Sequence, residues 1–307
     1  MEIPDYPSSR PVELLDKSLF DSLFLLLQPR ISELTFANLY LFRHAHLYRL
    51  TKIGTSLVVF GCGYSGEKYF LPPLGGDVGI ALNTLFSNGH VLYGADDGFR
   101  VAYLQGLGLD SIEDRDAFDY VYCRNDLATL SGNRYHKKKN RVNYFSSRHS
   151  FTVDRYSAGY REDTLALLEE WRRIRVGHDN RSLELEVAAA AEGLERAEQL
   201  GLEGVVVLVE GRVKAYALGE RMNARTSVCH FEKADPFLDG LYQVVDQEFN
   251  CRCFIDCELV NREQDLGEPS LRKSKLSYHP IELVKKYRFW KTKQQSSGSF
   301  RNGAIHQ

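Results

Sequence analysis

Between Val260 and Pro280 the chain reads V-N-R-E-Q-D-L-G-E-P-S-L-R-K-S-K-L-S-Y-H-P, and its charges are Arg262, Glu263, Asp265, Glu268, Arg272, Lys273 and Lys275. Acids and bases at this density have two uses. They can pair with one another on a solvated face, the ordinary fate of any single charge of this kind. Alternatively, the cations hold an anionic ligand while an acid positions or takes a proton. Acyl transfer to an amine needs a base for the amine, donors for the developing oxyanion and a proton for the leaving group, without a covalent intermediate. No Ser, Cys and His set lies in a nucleophile motif.

The elements that must position these residues follow from their neighbours. Cys253, Ile255, Cys257 and Leu259 alternate with Phe254, Asp256, Glu258 and Val260, the period of two of a half-buried strand. Asn261 to Gly267 reads as a polar loop. Glu268-Pro269 then starts a short helix, with proline at the first position and the acid facing the positive end of the dipole. Arg272, Lys273 and Lys275 lie within that helix. A loop at the carboxyl end of a strand that feeds a cationic helix is a common place for anionic ligands in α/β proteins.

Earlier in the chain, residues 1–18 read as an extended lead-in and Gln28 to Leu50 as a helix. Short strands follow at 47–53, 56–60 and 68–71, with the G-C-G-Y-S-G-E turn as a hairpin; it lacks the Lys-Ser or Lys-Thr ending of a phosphate loop. A helix at 78–86, a strand at 91–95, a helix at 98–107 and a strand at 118–123 complete a mixed first half. The second half repeats this grammar: a strand at 151–156, helices at 161–175 and 183–200, a hairpin turning at Glu210-Gly211, a strand at 226–233, a helix at 240–250, and a last strand at 281–290.

Three segments carry a family resemblance: N-R-E-Q-D-L-G-E-P-S-L-R-K-S-K-L-S-Y at 261–278, H-F-E-K-A-D at 230–235 and G-N-R-Y-H-K-K-K-N-R-V-N-Y-F at 132–145. They resemble the family related to the C-terminal domain of bacterial phosphatidylglycerol lysyltransferases, over about Leu25 to about Phe289. The resemblance implies an α/β (α+β) fold of tandem Gcn5-related N-acetyltransferase-like domains with mainly antiparallel mixed sheets. The expected division is 1–145 and 146–291, with a disordered tail at 292–307. It implies an acyl- or aminoacyltransferase with acyl-CoA or aminoacyl-tRNA as donor; the alternative is a non-catalytic protein of the same fold that binds an anionic ligand or transfer RNA. The lysyltransferases carry an additional membrane-embedded N-terminal region that this sequence does not contain, so lysylation of lipid is not carried over. Within the fold, the strands ending near Glu232 and Val260 are expected to splay and admit the donor. Lys233, Asp235, Arg262, Arg272, Lys273 and Lys275 would then bind donor or substrate, Glu263 or Asp265 would position or deprotonate the acceptor, and Tyr278 would be the general acid. The stretch E-K-A-D-P-F-L-D-G-L-Y at 232–242 departs from the R-x-x-G-x-G or Q-x-x-G-x-G of coenzyme A users, with Asp235 or Asp239 as helix caps.

The run Arg134, His136, Lys137, Lys138, Lys139 and Arg141 reads either as a solvated helix or as a polyanion patch in which Lys137, Lys138 and Arg141 track phosphates of a transfer RNA. His44, His46, His90, His149, His178 and His279 show no acid partner at motif spacing. The six cysteines lack the spacing of a secreted disulfide scaffold, so a reduced, cytoplasmic protein is expected. Cys253 and Cys257 read as small hydrophobes in preference to zinc ligands. Among 307 residues, 43% are hydrophobic and 26% charged, and the net charge is −2. That balance excludes a protein coated with positive charge for nucleic acid, and no apolar run approaches the roughly 20 residues of a membrane span.

Overall fold

The computed structural model describes residues 2–175 and 181–292. In chain order the first half runs β1 (Arg10–Pro11), α1 (Lys17–Leu27), α2 (Phe36–Leu41), β2 (Arg49–Ile53), β3 (Ser56–Cys62), β4 (Lys68–Phe70), α3 (Val78–Ser87), β5 (Leu92–Ala95), α4 (Asp97–Phe99), β6 (Leu109–Glu113) and β7 (Asp119–Cys123). Two linking helices follow, α5 (Arg124–Thr129) and α6 (His136–Ser146). The second half runs β8 (Phe151–Arg155), α7 (Arg161–Arg175), α8 (Arg181–Glu195), α9 (Ala197–Leu200), β9 (Glu203–Val209), β10 (Arg212–Arg221), β11 (Thr226–Ala234), α10 (Leu241–Arg252), β12 (Leu259–Asn261), α11 (Pro269–Leu276), β13 (Glu282–Val284) and β14 (Tyr287–Lys291).

The halves have the same element order apart from the short extra helix α9 of the second, and each contributes to a sheet of seven strands, β1-β2-β3-β4-β5-β14-β6 and β13-β7-β12-β11-β10-β9-β8. All pairings are antiparallel except one in each sheet, β4 with β5 and β11 with β12. The crossover helices of those parallel pairs are α3 and α10. This is a mixed α/β fold of two largely antiparallel sheets. The strands do not divide at residue 145. The last strand of each half, β7 or β14, is inserted into the sheet of the other, between β12 and β13 or between β5 and β6.

Side-chain alternation explains the layers. On β9, Val206 faces the core shared with α7 and α8, whereas Val205, Val207 and Val209 face the core under α10; the continuous valine run is therefore buried on both faces. The first core belongs to both halves, because Phe20, Phe36 and Leu39 meet Leu167, Trp171, Leu194 and Phe231 in it. The crossing point of the exchanged strands is polar and closed. Lys286 Nζ donates to Glu33 Oε2 at 2.5 Å and Asp119 Oδ1 at 2.8 Å, and Ser32, Asn261, Gln264 and Tyr93 supply further hydrogen bonds to the two acids. Burial raises the Glu33 carboxyl, while on Lys286 the two acids outweigh burial and raise the ammonium.

Several sequence expectations change. The helix expected over 28–50 is only α2, and an eleven-residue helix, α1, starts at the end of the expected lead-in and fills residues 19–27, for which no element was expected. Residues 253–258 are turns, not a strand; α10 runs on to Arg252 and Phe254 takes a positive φ of 49°. The expected period of two fails there: Cys253, Phe254 and Cys257 are buried while Ile255, on the same expected face as the two cysteines, is exposed, the burial pattern of a turn and not of a strand. The last strand is two, β13 and β14, in different sheets. The expectations for His178 and, from residue 293, for the tail lie outside the described residues. No helix among the described residues is long and apolar enough to cross a membrane.

Candidate functional site

The site begins where β11 and β12 part. They pair only over Thr226–Val228 and Leu259–Asn261, after which β11 continues to Ala234 and the other chain turns away. On its opposite edge β11 carries a bulge: Leu218 faces Phe231 and Gly219 faces Cys229, leaving His230 without a partner across the ladder. A bulge re-aims its side chain. The imidazole of His230 lies between Glu220, with Nε2 2.9 Å from Oε1, and Glu263, with Nδ1 2.7 Å from Oε1. Asn38 also donates to Glu263 Oε1, at 3.2 Å. Burial alone would lower the histidine, but the two carboxylates outweigh it and push it up to about 10, so it is an imidazolium at neutral pH.

One step along β11, Glu232 meets Arg262 and Asp246. Arg262 Nη2 donates to Glu232 at 2.9 Å, and Nη1 lies 3.1 Å from Asp246 Oδ1. Burial raises the carboxyls of Glu232 and Asp246. The group is incompletely satisfied: Asp246 Oδ2, Asn250 Oδ1 and Arg262 Nη1 are buried without a hydrogen-bond partner. Tyr278 closes this cluster, its ring 5.0 Å from the Arg262 guanidinium and 3.7 Å from Lys138 Nζ.

Above the cluster is a cleft of about 790 Å³, lined by Asn133, Arg134, His136, Lys137, Lys138 and Arg141 from the α6 side, by Pro236, Leu238, Asp239, Gly240, Tyr242 and Gln243 around the start of α10, and by Ser277 and His279. Gly240 makes this geometry possible. At φ +98° it caps α10, and a Cβ there would lie 2.3 Å from the Arg141 carbonyl oxygen, so only glycine lets α6 cross so closely over the start of α10. No side chain caps α10, whereas the equivalent α3 is capped by Asp77, whose carboxylate accepts from Ile80 N at 3.0 Å. On β4 and β5, the parallel pair of the first half, Tyr69 and Tyr93 lie with their rings 4.9 Å apart.

The family model for the C-terminal region of phosphatidylglycerol lysyltransferases matches residues 24–289. The chain belongs to that family. Its fold is similar to a conserved protein of unknown function from Bacteroides thetaiotaomicron, at 28% identity and a TM-score of 0.86, covering 92% of this chain and 99% of that one. The structure of L-PGS from Bacillus licheniformis matches at 13% identity and a TM-score of 0.60 over 96% of both chains. A tandem GNAT protein from the clavulanic acid biosynthesis pathway matches at 11% identity and a TM-score of 0.50, over 92% of this chain and 97% of that one. The two sheets thus resemble tandem GNAT-like domains. Comparison with curated proteins finds no match.

In this member of the lysyltransferase C-terminal family, the charged stretch after β12 divides among separate places. Arg262 and Tyr278 stand under the cleft, while Lys137, Lys138 and Arg141 line it. Glu263 is turned to His230. Asp265 is fully buried and accepts from Tyr120 at 2.5 Å, Arg272 at 2.7 and 2.9 Å, Arg115 at 3.1 Å and the Gly267 N–H at 2.9 Å. Those donors more than offset burial and hold its carboxyl far below the usual range. With its lone pairs occupied, Asp265 has none for an acceptor's proton, which corrects its expected role as a base. Arg272 is committed to Asp265 and Asp116. Lys275 is buried and donates to the carbonyls of Arg262, Glu263 and Gln264, tying the loop to α11. Lys273 is exposed beside a second, shallower hollow. Lys233 points to the other face of β11, where Nζ bonds Glu186 and lies 4.0 Å over Trp171. Alternation along a strand separates it from Glu232. Asp235 accepts from Lys214 and the Phe237 N–H, and Asp239 lies 3.7 Å from Arg141, so neither caps α10.

His230, Glu220, Asp246 and Gln243 are given no role in the sequence reading, although His230 opens the H-F-E-K-A-D segment. Asp246 had a visible signal, an acid among Leu241, Val244, Val245 and Phe249 on the apolar face of α10, where an unpaired carboxylate does not stay. The bulge that aims His230 had none.

Proposed function

We propose that the chain is an acyl- or aminoacyltransferase whose anionic donor, acyl-CoA or aminoacyl-tRNA, lies in the cleft between α6 and α10. The observation that carries this reading is the meeting of three features: a cation-lined cleft, an uncapped helix start and a splayed parallel strand pair with ionisable groups beneath it. Backbone N–H groups at the start of α10, with Lys137 and Arg141, would hold phosphate. The family relationship and the fold support transfer as the chemistry.

Within this reading Glu232 is the acceptor's base. Burial lifts its carboxyl towards the operating range of a base, and its charge reaches Lys138 in the lining of the cleft. Arg262 orients it and places positive charge near the developing oxyanion. Tyr278 returns a proton to the leaving group. Burial raises its hydroxyl well above 10, so it keeps that proton until a stronger base forms beside it. The basic run beside the start of α10 is the feature that favours a transfer RNA donor over a small one.

The test is single-turnover transfer from radiolabelled acyl-CoA and aminoacyl-tRNA to a panel of amines and hydroxyl compounds, comparing the parent with Glu232→Gln. The expected result is donor binding in both proteins and transfer lowered about 100-fold in the variant. Donor binding without transfer in the parent selects the non-catalytic reading, and binding of neither donor removes this one.

A further inference from the structure

We propose that Lys138 is a nucleophilic lysine that forms an imine with anionic carbonyl compounds held in the α6–α10 cleft. This inference is independent of the transfer reading, since no acyl donor enters it. It rests on where the amine is and on what does not hold it. Lys233, Lys275 and Lys286 each deliver their ammonium to carboxylates or carbonyls. Lys138 has no carboxylate at ion-pair distance among the described residues; its nitrogen rests 3.7 Å over the Tyr278 ring, in the lining of the cleft.

The groups that face it come from every element around the cluster: Tyr278 after α11, Arg262 after β12, Glu232 on β11 and Asp246 on α10. The two acids are engaged by Arg262, which itself repels a second cation. Burial and the Arg262 charge together lower the ammonium to about 8. Roughly a tenth of Lys138 is then the free amine at neutral pH, against well under a hundredth of an ordinary lysine near 10.4. A desolvated lysine beside another cation is a recognised way of making a nucleophile.

The chemistry balances without an outside reagent. The Lys138 nitrogen adds to the carbonyl carbon and passes a proton to the carbonyl oxygen, giving a carbinolamine. Loss of water then leaves a carbon–nitrogen double bond. The compounds favoured are those whose carbonyl is joined to a phosphate or similar anion, because Lys137, Arg141 and His279 line the same cleft.

Pyridoxal 5′-phosphate is the probe, used substoichiometrically with the whole chain, trapped with borohydride and located by peptide mass spectrometry. Lys138 is expected to label at least about ten times faster than the exposed Lys137, Lys139 and Lys273. Inorganic phosphate should slow the labelling, and pyridoxal, which lacks the phosphate, should label Lys138 several-fold less. Lys138→Arg, which keeps the charge, should lose the fast phase while its far-ultraviolet spectrum matches the parent. Equal labelling across the surface lysines, a fast phase surviving in Lys138→Arg, or labelling indifferent to phosphate would each overturn the proposal.

Discussion

The Nδ1 of His230 lies 2.7 Å from Oε1 of Glu263, joining a bulge on β11 to the loop after β12 through an imidazolium with no exposed side-chain surface. Glu220 completes the arrangement from β10. The histidine is therefore a fastener across three segments around the splay, and its charge is the fastening.

This gives a pH dependence of defined sign. The folded value of about 10 stands above the ordinary 6.5, so the stabilisation is present in full below about pH 6.5 and is lost as pH rises through about 10. Urea unfolding followed from about pH 6 to about pH 10 should show stability declining over that window. In His230→Gln the decline should flatten, and stability near neutrality should drop by about 3 kcal/mol, because two carboxylates lose their shared cation. An unchanged slope in the variant would refute the charged assignment.

Asp265 leads to a different kind of prediction. Its partners Arg115, Tyr120 and Arg272 are all protein groups, so Asp265→Asn should lower stability by about 3 kcal/mol through broken charged hydrogen bonds. Donor affinity should be preserved when measured well below the variant's melting temperature. The folded carboxyl is depressed, so its contribution holds above the usual carboxylate value and fades as the medium is acidified towards the folded one. A variant as stable as the parent but defective in transfer would return Asp265 to the chemistry.

Much of the fold was legible because local periodicity and turn chemistry specify local elements. The strand 203–209, the Glu210-Gly211 turn, the helix at 78–86 and the Glu268-Pro269 start of α11 all occur where the residues place them. What was not legible is non-local. Nothing in Tyr287 to Lys291 says that this strand pairs with Leu109–Glu113 and not with its own half. The charged stretch was read as one cleft because its residues are neighbours in sequence. A loop with Glu263 and Leu266 at positive φ sends successive side chains to different places, and only long-range partners such as Arg115 and His230 decide which.

The exchanged strands predict that neither half is complete alone. Residues 1–145 carry β7 without its neighbours β12 and β13, and their own sheet lacks β14 between β5 and β6. Expressed separately, residues 1–145 and 146–307 should each expose open strand edges and aggregate. Expressed together they should recover a complex with the circular dichroism of the parent. Within the intact chain, Lys286→Met should cost about 3–5 kcal/mol, since Glu33 and Asp119 lose the buried cation they share. Two independently folded, monomeric halves would contradict the exchange.

The cations of the cleft are distinguishable by their partners. Arg134 is bound to Asp126, and Arg141 reaches Asp239 only at 3.7 Å with both side chains largely exposed. Lys137 has no carboxylate partner among the described residues. Lys137 and Arg141 are therefore the charges free to meet phosphate. If the donor is a transfer RNA, log Kd against log salt should be linear, and replacing both residues with Ala should reduce the slope by up to about two charges' worth while weakening all RNAs alike. Asp239→Asn should act in the opposite direction, since it removes the acid nearest Arg141. A donor that is a small phosphorylated molecule would give a shallow slope in the parent and a loss of affinity confined to that molecule. Should neither class of anion bind the parent measurably, Lys137 and Arg141 are solvated residues on the outer face of α6, and the cleft is not the donor site.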